Sequence, residues 1–113
     1  MNAETLHSIN DETIEKLARL IRKSRRIERL LKALLSRAFL WREEADRIAG
    51  ASNSPDLVRQ ARDAGLRNLL LTTLTPIKST DGRDTRAGQY SLSPEGRLVV
   101  LIALKESNKK EQA

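Results

Sequence analysis

Apolar side chains recur at helical spacing soon after Asn10. Ile14, Leu17 and Ile21 mark one stripe, and Ile27, Leu30, Leu31, Leu34, Leu35, Ala38 and Phe39 continue it at i, i+3, i+4, i+7, i+8, i+11 and i+12. Asn10 or Asp11 can cap the first helix, with Glu12 and Glu15 against the positive end of its dipole. The pattern predicts N-terminal helices over 11–39, compatible with one rod or with a break near Lys23-Ser24. From Trp41 the period repeats briefly through Ala45, Ile48 and Ala49, and Gly50 stops it. Ser52-Asn53-Ser54-Pro55-Asp56 then offers capping side chains, a proline at the first helical position and an acid in the first turn. The helix it opens has Leu57, Val58 and Ala61 inward, Arg59, Gln60 and Arg62 outward, and ends at Gly65.

Beyond Leu66 the period changes. Leu69, Leu70, Leu71, Leu74 and Ile77, mixed with Thr72, Thr73 and Thr75, predict a strand in which Pro76 must sit on an edge or at a bulge. An Asp81-Gly82 turn lets Gln89-Tyr90-Ser91-Leu92 return as its antiparallel partner. Ser93-Pro94-Glu95 opens a last helix whose residues to Leu104 are apolar nearly all round, so it must be covered on more than one side, by a second subunit if not by this chain. The fold class expected is mainly α with a small β-hairpin: a loose terminus over 1–10, one domain over 11–105 and a disordered polar tail over 106–113.

Composition bounds the function. In 113 residues, 39% hydrophobic and 32% charged, there is material for one core and no apolar run near the roughly 20 residues that span a bilayer. No signal peptide is legible at the N-terminus, and the absence of cysteine removes disulfides, thiolate metal sites and cysteine nucleophiles, so a soluble cytoplasmic protein is expected. His7 is the single histidine, Ser52 and Ser54 have no neighbouring base, and the five glycines are scattered, so no enzyme, metal or cofactor is expected. Glu43, Glu44 and Asp46 read as surface charges and Trp41 as a core plug between helices. A net charge of +6 favours a polyanion. Arg22, Lys23, Arg25, Arg26, Arg29, Lys32 and Arg37 stand against the single acid Glu28, so one segment carries the chain's whole surplus. Its one sign argues for phosphate contact rather than a merely solvated face. Aromatics at 3% are too few for a platform of stacked bases.

Two stretches carry a family resemblance. Ala45-Asp46-Arg47-Ile48-Ala49-Gly50 with Ser54-Pro55-Asp56-Leu57-Val58 and Ala64-Gly65-Leu66, and Tyr90-Ser91-Leu92-Ser93-Pro94-Glu95-Gly96, resemble the winged helix-turn-helix of MarR and PadR type bacterial regulators. Ala45 and Gly50 are five apart where about four is usual, which implies a turn one residue longer. The resemblance implies helix-turn-helix over 41–65, wing over 67–92 and a C-terminal helix over 94–105. Double-stranded DNA would be the partner, read by a homodimeric regulator of bacterial, phage or mobile-element origin.

Exposed positions near the start of such a helix meet base edges, so Asn53, Ser54, Asp56, Arg59, Gln60 and Arg62 are the candidate base contacts. Arginine suits guanine and glutamine suits adenine, while Asp56 either takes a cytosine amino group or caps the helix. Arg22, Arg25, Arg26, Arg29 and Arg37 are expected on phosphate, with Lys78, Arg83 and Arg86 from the wing on backbone or minor groove. Ile14, Leu17, Ile21, Val99 and Ile102 are the dimerisation candidates. The alternative is a winged helix used as a protein-interaction module, favoured by acids that offset the arginines of the same helix.

Overall fold

Asp11 and Glu12 open the first helix and Arg22 and Lys23 close it, each charge suiting its end of the dipole; α1 spans Asp11–Lys23. The computed structural model describes residues 11–50, 54–78, 82 and 84–112. The expected loose terminus 1–10, Asn53 and Arg83 lie outside the described residues, as does the side chain of Arg86.

Ser24 divides the N-terminal stripe into two helices. Its backbone is extended, and its Oγ accepts from the Ile27 N–H at 3.2 Å as the N-cap of α2, Arg25–Ser36. Helix α2 ends before the expected position 39, where the backbone of Arg37 turns extended, and Arg97 reaches across to its terminal carbonyls. Nη1 of Arg97 donates to Leu34 O and Leu35 O at 3.2 and 3.1 Å, and Nη2 to Arg37 O at 2.8 Å. Ala38 and Phe39, read as the end of the stripe, are exposed. Leu40–Trp41 then forms β1, a strand that the periodicity did not predict. Trp41 is a half-buried residue rather than a core plug, its ring edge-to-face with Phe39 at 5.4 Å.

Helix α3, Arg42–Ala49, and helix α4, Ser54–Ala61, follow. The chain leaves α4 through a wide turn, Arg62–Leu66, and a tight one, Arg67–Leu69, into β2, Leu70–Lys78. β3, Asp84–Leu92, returns antiparallel in an unbroken register from Leu70 opposite Leu92 to Lys78 opposite Asp84. β1 adds to the far side of β3, with Leu40 opposite Tyr90, so the three-stranded sheet has the order β1-β3-β2. Pro76 thus lies on an edge strand, as its missing N–H requires.

The last helix, α5, spans Pro94–Gln112. The polar composition beyond Lys105 predicted a disordered tail, and this is corrected: the helix continues, Ser107 is buried with its Oγ donating to Leu104 O at 2.8 Å, and Lys109 pairs with Glu106. Helix α5 is covered by α1, α2 and β3 of its own chain. Four of the five dimerisation candidates are therefore corrected as well. Ile14, Leu17, Ile21 and Val99 are buried in the protomer's own core, because α1 and α5 cover each other's apolar stripes. Ile102 remains at the surface, beside Leu101. Among the described residues no helix is long and apolar enough to cross a membrane.

Candidate nucleic-acid interface

The junction between α3 and α4 is held from three sides. Gly50 ends α3 in the left-handed conformation, φ +71°, and its N–H donates back to Arg47 O at 3.1 Å. Arg29 of α2 lies against this corner, its Nη1 3.5 Å from the carbonyl of Ala49, so a positive charge meets the negative end of the α3 dipole. Asp46, read from sequence as a surface charge, accepts from the Ser54 N–H at 2.9 Å and satisfies a terminal amide of α4 from the preceding helix. No local pattern marks this cap, because donor and acceptor stand eight residues apart. Glu44 is likewise more than a surface charge, since it accepts from the Trp41 N–H at 3.2 Å and from Arg37 at 2.7 Å.

Of the six candidate base readers, three share the solvent face of α4. Asp56 takes Nη2 of Arg59 on Oδ1 at 2.6 Å and Nε2 of Gln60 on Oδ2 at 2.8 Å, while Nη1 of Arg59 reaches Asp63 at 3.4 Å. The hydrogen bonds from Arg59 and then Gln60 hold the Asp56 carboxyl below its ordinary pKa, and the same contact with Asp56 raises that of Arg59. A lowered carboxylate pKa contributes stability above the ordinary aspartate range that is lost as pH falls through the lowered value. NMR titration is therefore expected to find the Asp56 midpoint below that of an unpaired aspartate, moving upward in Arg59→Ala; a midpoint that stays put would show the pair is not formed in solution.

Of the other three expectations, two change. Ser54 is fully buried at the start of α4, where its side chain cannot meet a base. Arg62 faces the sheet: Nε and Nη2 donate to Leu70 O at 3.0 and 2.9 Å, and Nη2 also to Thr72 Oγ1 at 2.6 Å. It fastens the exit of α4 to β2 instead of pointing outward, because the Leu70 carbonyl and Thr72 hydroxyl of β2 lie within its reach. Asn53 lies outside the described residues.

The basic segment also divides. Arg22 is mostly buried and pairs with Glu15 at 3.5 Å, and its helix ends before Ser24, so it does not continue the face of α2. Arg37 pairs with Glu44 at the far end of α2, and Lys32 with Glu28. Arg25 and Arg26 are exposed and, among the described residues, unpaired. They stand one turn before Arg29 on the same helix, so the open positive charge of α2 is gathered at its N-terminal end, one turn from the residue that meets the α3–α4 corner. Lys78 is exposed near the tip of the hairpin. Among the described residues no cluster of histidine or acidic groups is arranged to hold a metal ion. Neither a protein-family model nor a curated protein matches this sequence.

Proposed function

We propose that the chain is a sequence-reading DNA-binding protein of the winged helix-turn-helix type, acting as a homodimeric transcriptional regulator. The observation that carries this reading is the seating of Arg29 on the α3–α4 corner, one helical turn from the exposed Arg25 and Arg26, together with Asp56, Arg59 and Gln60 on the solvent face of α4. A helix about 10–12 Å across fits the major groove, and cations flanking its entry meet the phosphates on either side. The β2–β3 hairpin supplies the wing, with Lys78 near its tip. On α5, Leu101 and Ile102 are exposed apolar positions available for a second copy. A dimer so formed reads two half-sites about one helical turn apart.

Sequencing of the fragments retained from a random duplex library at about 150 mM salt tests the reading, since at that concentration purely ionic binding is weakened. An inverted repeat is the expected product. Retention without a motif would mean a backbone-tracking binder, and no retention would leave the second reading, a protein-docking module. That reading is favoured by the acids Asp56 and Asp63, which offset the charge of Arg59 on the α4 face. The phosphate role has its own check: in the double variant Arg25→Ala/Arg26→Ala the affinity for all duplexes falls alike, and the slope of log K against log salt becomes shallower by about two. An unchanged slope removes these residues from the interface.

A further inference from the structure

The acids of α4 suggest how such a surface would avoid the wrong DNA. Resting on the DNA-binding reading above, we infer that Asp56 is a specificity-determining residue that keeps Arg59 from sequence-independent phosphate contact and presents Gln60 in one orientation. Asp56 commits each carboxylate oxygen to a different residue, Oδ1 to Arg59 and Oδ2 to Gln60. Arg59 is held from the preceding turn by Asp56 and from the following turn by Asp63, so its guanidinium lies along the helix rather than extending from it. The two acids and one arginine leave this face without a net positive charge to offer a phosphate. Sequence-independent attraction then comes from other cations, Arg25 and Arg26 on α2 and Lys78 near the hairpin tip among them.

Gln60 is constrained in a complementary way. With its Nε2 donating to Asp56, Gln60 keeps its amide oxygen as the group left to accept from a base. Such an acceptor matches the amino groups of adenine and cytosine in the major groove and opposes the acceptors of guanine and thymine. Carboxylates beside it likewise repel phosphate and base acceptors, so the face is selective through what it rejects as well as through what it binds. These ion pairs are exposed, and pairs of that kind are weak enough to be exchanged when a matching base is offered.

The test is a double-mutant cycle on the full chain with Asp56→Asn and Arg59→Ala, measuring affinity for the selected site and for random duplex across a salt series. Asp56→Asn keeps the shape and the helix-start character of the side chain. It is expected to raise random-duplex affinity about tenfold and to steepen the salt slope by about one, as Arg59 becomes a phosphate ligand. Affinity for the selected site is expected to change by less than about threefold, so discrimination narrows. In the Arg59→Ala background the same substitution leaves the slope unchanged, and Asp56→Glu, which can still reach Arg59, keeps the wild-type slope. An Asp56→Asn protein with the wild-type slope, or the same gain with and without Arg59, would overturn the inference while leaving a DNA-reading protein in place. A wild-type chain that retains no duplex at all overturns both.

Discussion

Gly65→Ala is expected to destabilise the protein by about 3 kcal/mol, from backbone strain and overpacking together. Gly65 has φ +135°, a conformation that side-chain-bearing residues rarely adopt. It also lies under α1: a Cβ at this position would come 2.6 Å from Thr13 Cγ2 and 3.4 Å from Thr13 Cβ. No rotamer relieves the φ strain, and a turn of Thr13 about χ1 that moves its Cγ2 away still leaves Thr13 Cβ at 3.4 Å. For a domain of this size the melting temperature should fall by about 10–15 °C. Removing the opposing methyl separates the two causes. Thr13→Ser combined with Gly65→Ala should recover about half of the loss and leave the cost of the φ angle. A drop below about 1 kcal/mol in Gly65→Ala would mean that the turn after α4 does not press against α1. Since that turn sets where α4 ends and where Arg62 meets β2, the same variant is expected to weaken any function that needs α4 and the hairpin in fixed relation.

The second large effect is expected at Arg97. Its guanidinium serves three carbonyls at the end of α2, those of Leu34, Leu35 and Arg37. Terminal carbonyls of a helix have no partner within it, and a hydrogen bond to a charged group contributes about 1.5–3 kcal/mol net when buried, less where water competes, as it does at the exposed bond to Arg37. Arg97→Met preserves the aliphatic stem and removes all three donors, so a loss of about 2–4 kcal/mol is expected. Urea unfolding should show it as a lower midpoint with an unchanged slope. Arg97→Lys should recover less than half, since one compact ammonium cannot span positions that a planar fork reaches together. If Arg97→Met unfolds at the wild-type midpoint, the end of α2 must be satisfied by water instead.

The arginines show what was legible in the sequence and what was not. Among the described residues, periodicity located α1, α2 and α3, and the capping, proline and acid signals located the starts of α4 and α5. Periodicity also placed Ile14, Leu17 and Ile21 on one apolar stripe, and Val99 lies in a helix read as apolar nearly all round. A repeat states that a face is covered, not by what, and the assignment of those residues to a dimer surface failed where α1 and α5 proved to cover each other. β1 escaped notice because Leu40 and Trp41 are too short to show alternation and acquire their strand character from Tyr90 and Gln89. At the candidate interface, outward positions on α4 were read correctly for Asp56, Arg59 and Gln60, whose partners lie within four residues. Arg62, Arg97 and Asp46 escaped, because a long or polar side chain is defined by a partner from another element, and spacing carries no record of it. Ser107 followed the same rule: a polar residue in a polar stretch is buried by its place on α5, not by its own chemistry.

One consequence of the contact between Arg62 and β2 lies outside recognition. β2 is an edge strand with Leu71 and Leu74 exposed, the kind of strand on which other chains polymerise. The carbonyl of Leu69 points toward β3, where it accepts from the Ser93 N–H at 2.9 Å, so alternation turns the main-chain groups of Leu70, Thr72, Leu74, Pro76 and Lys78 to the open side. Arg62 already occupies the Leu70 carbonyl, Pro76 has no N–H to give, and Lys78 ends the strand with a charge. Only the short stretch from Thr72 to Leu74 is left as a template, too little to nucleate a growing sheet. The arginine that anchors the α4 exit thus also guards the protein against aggregation.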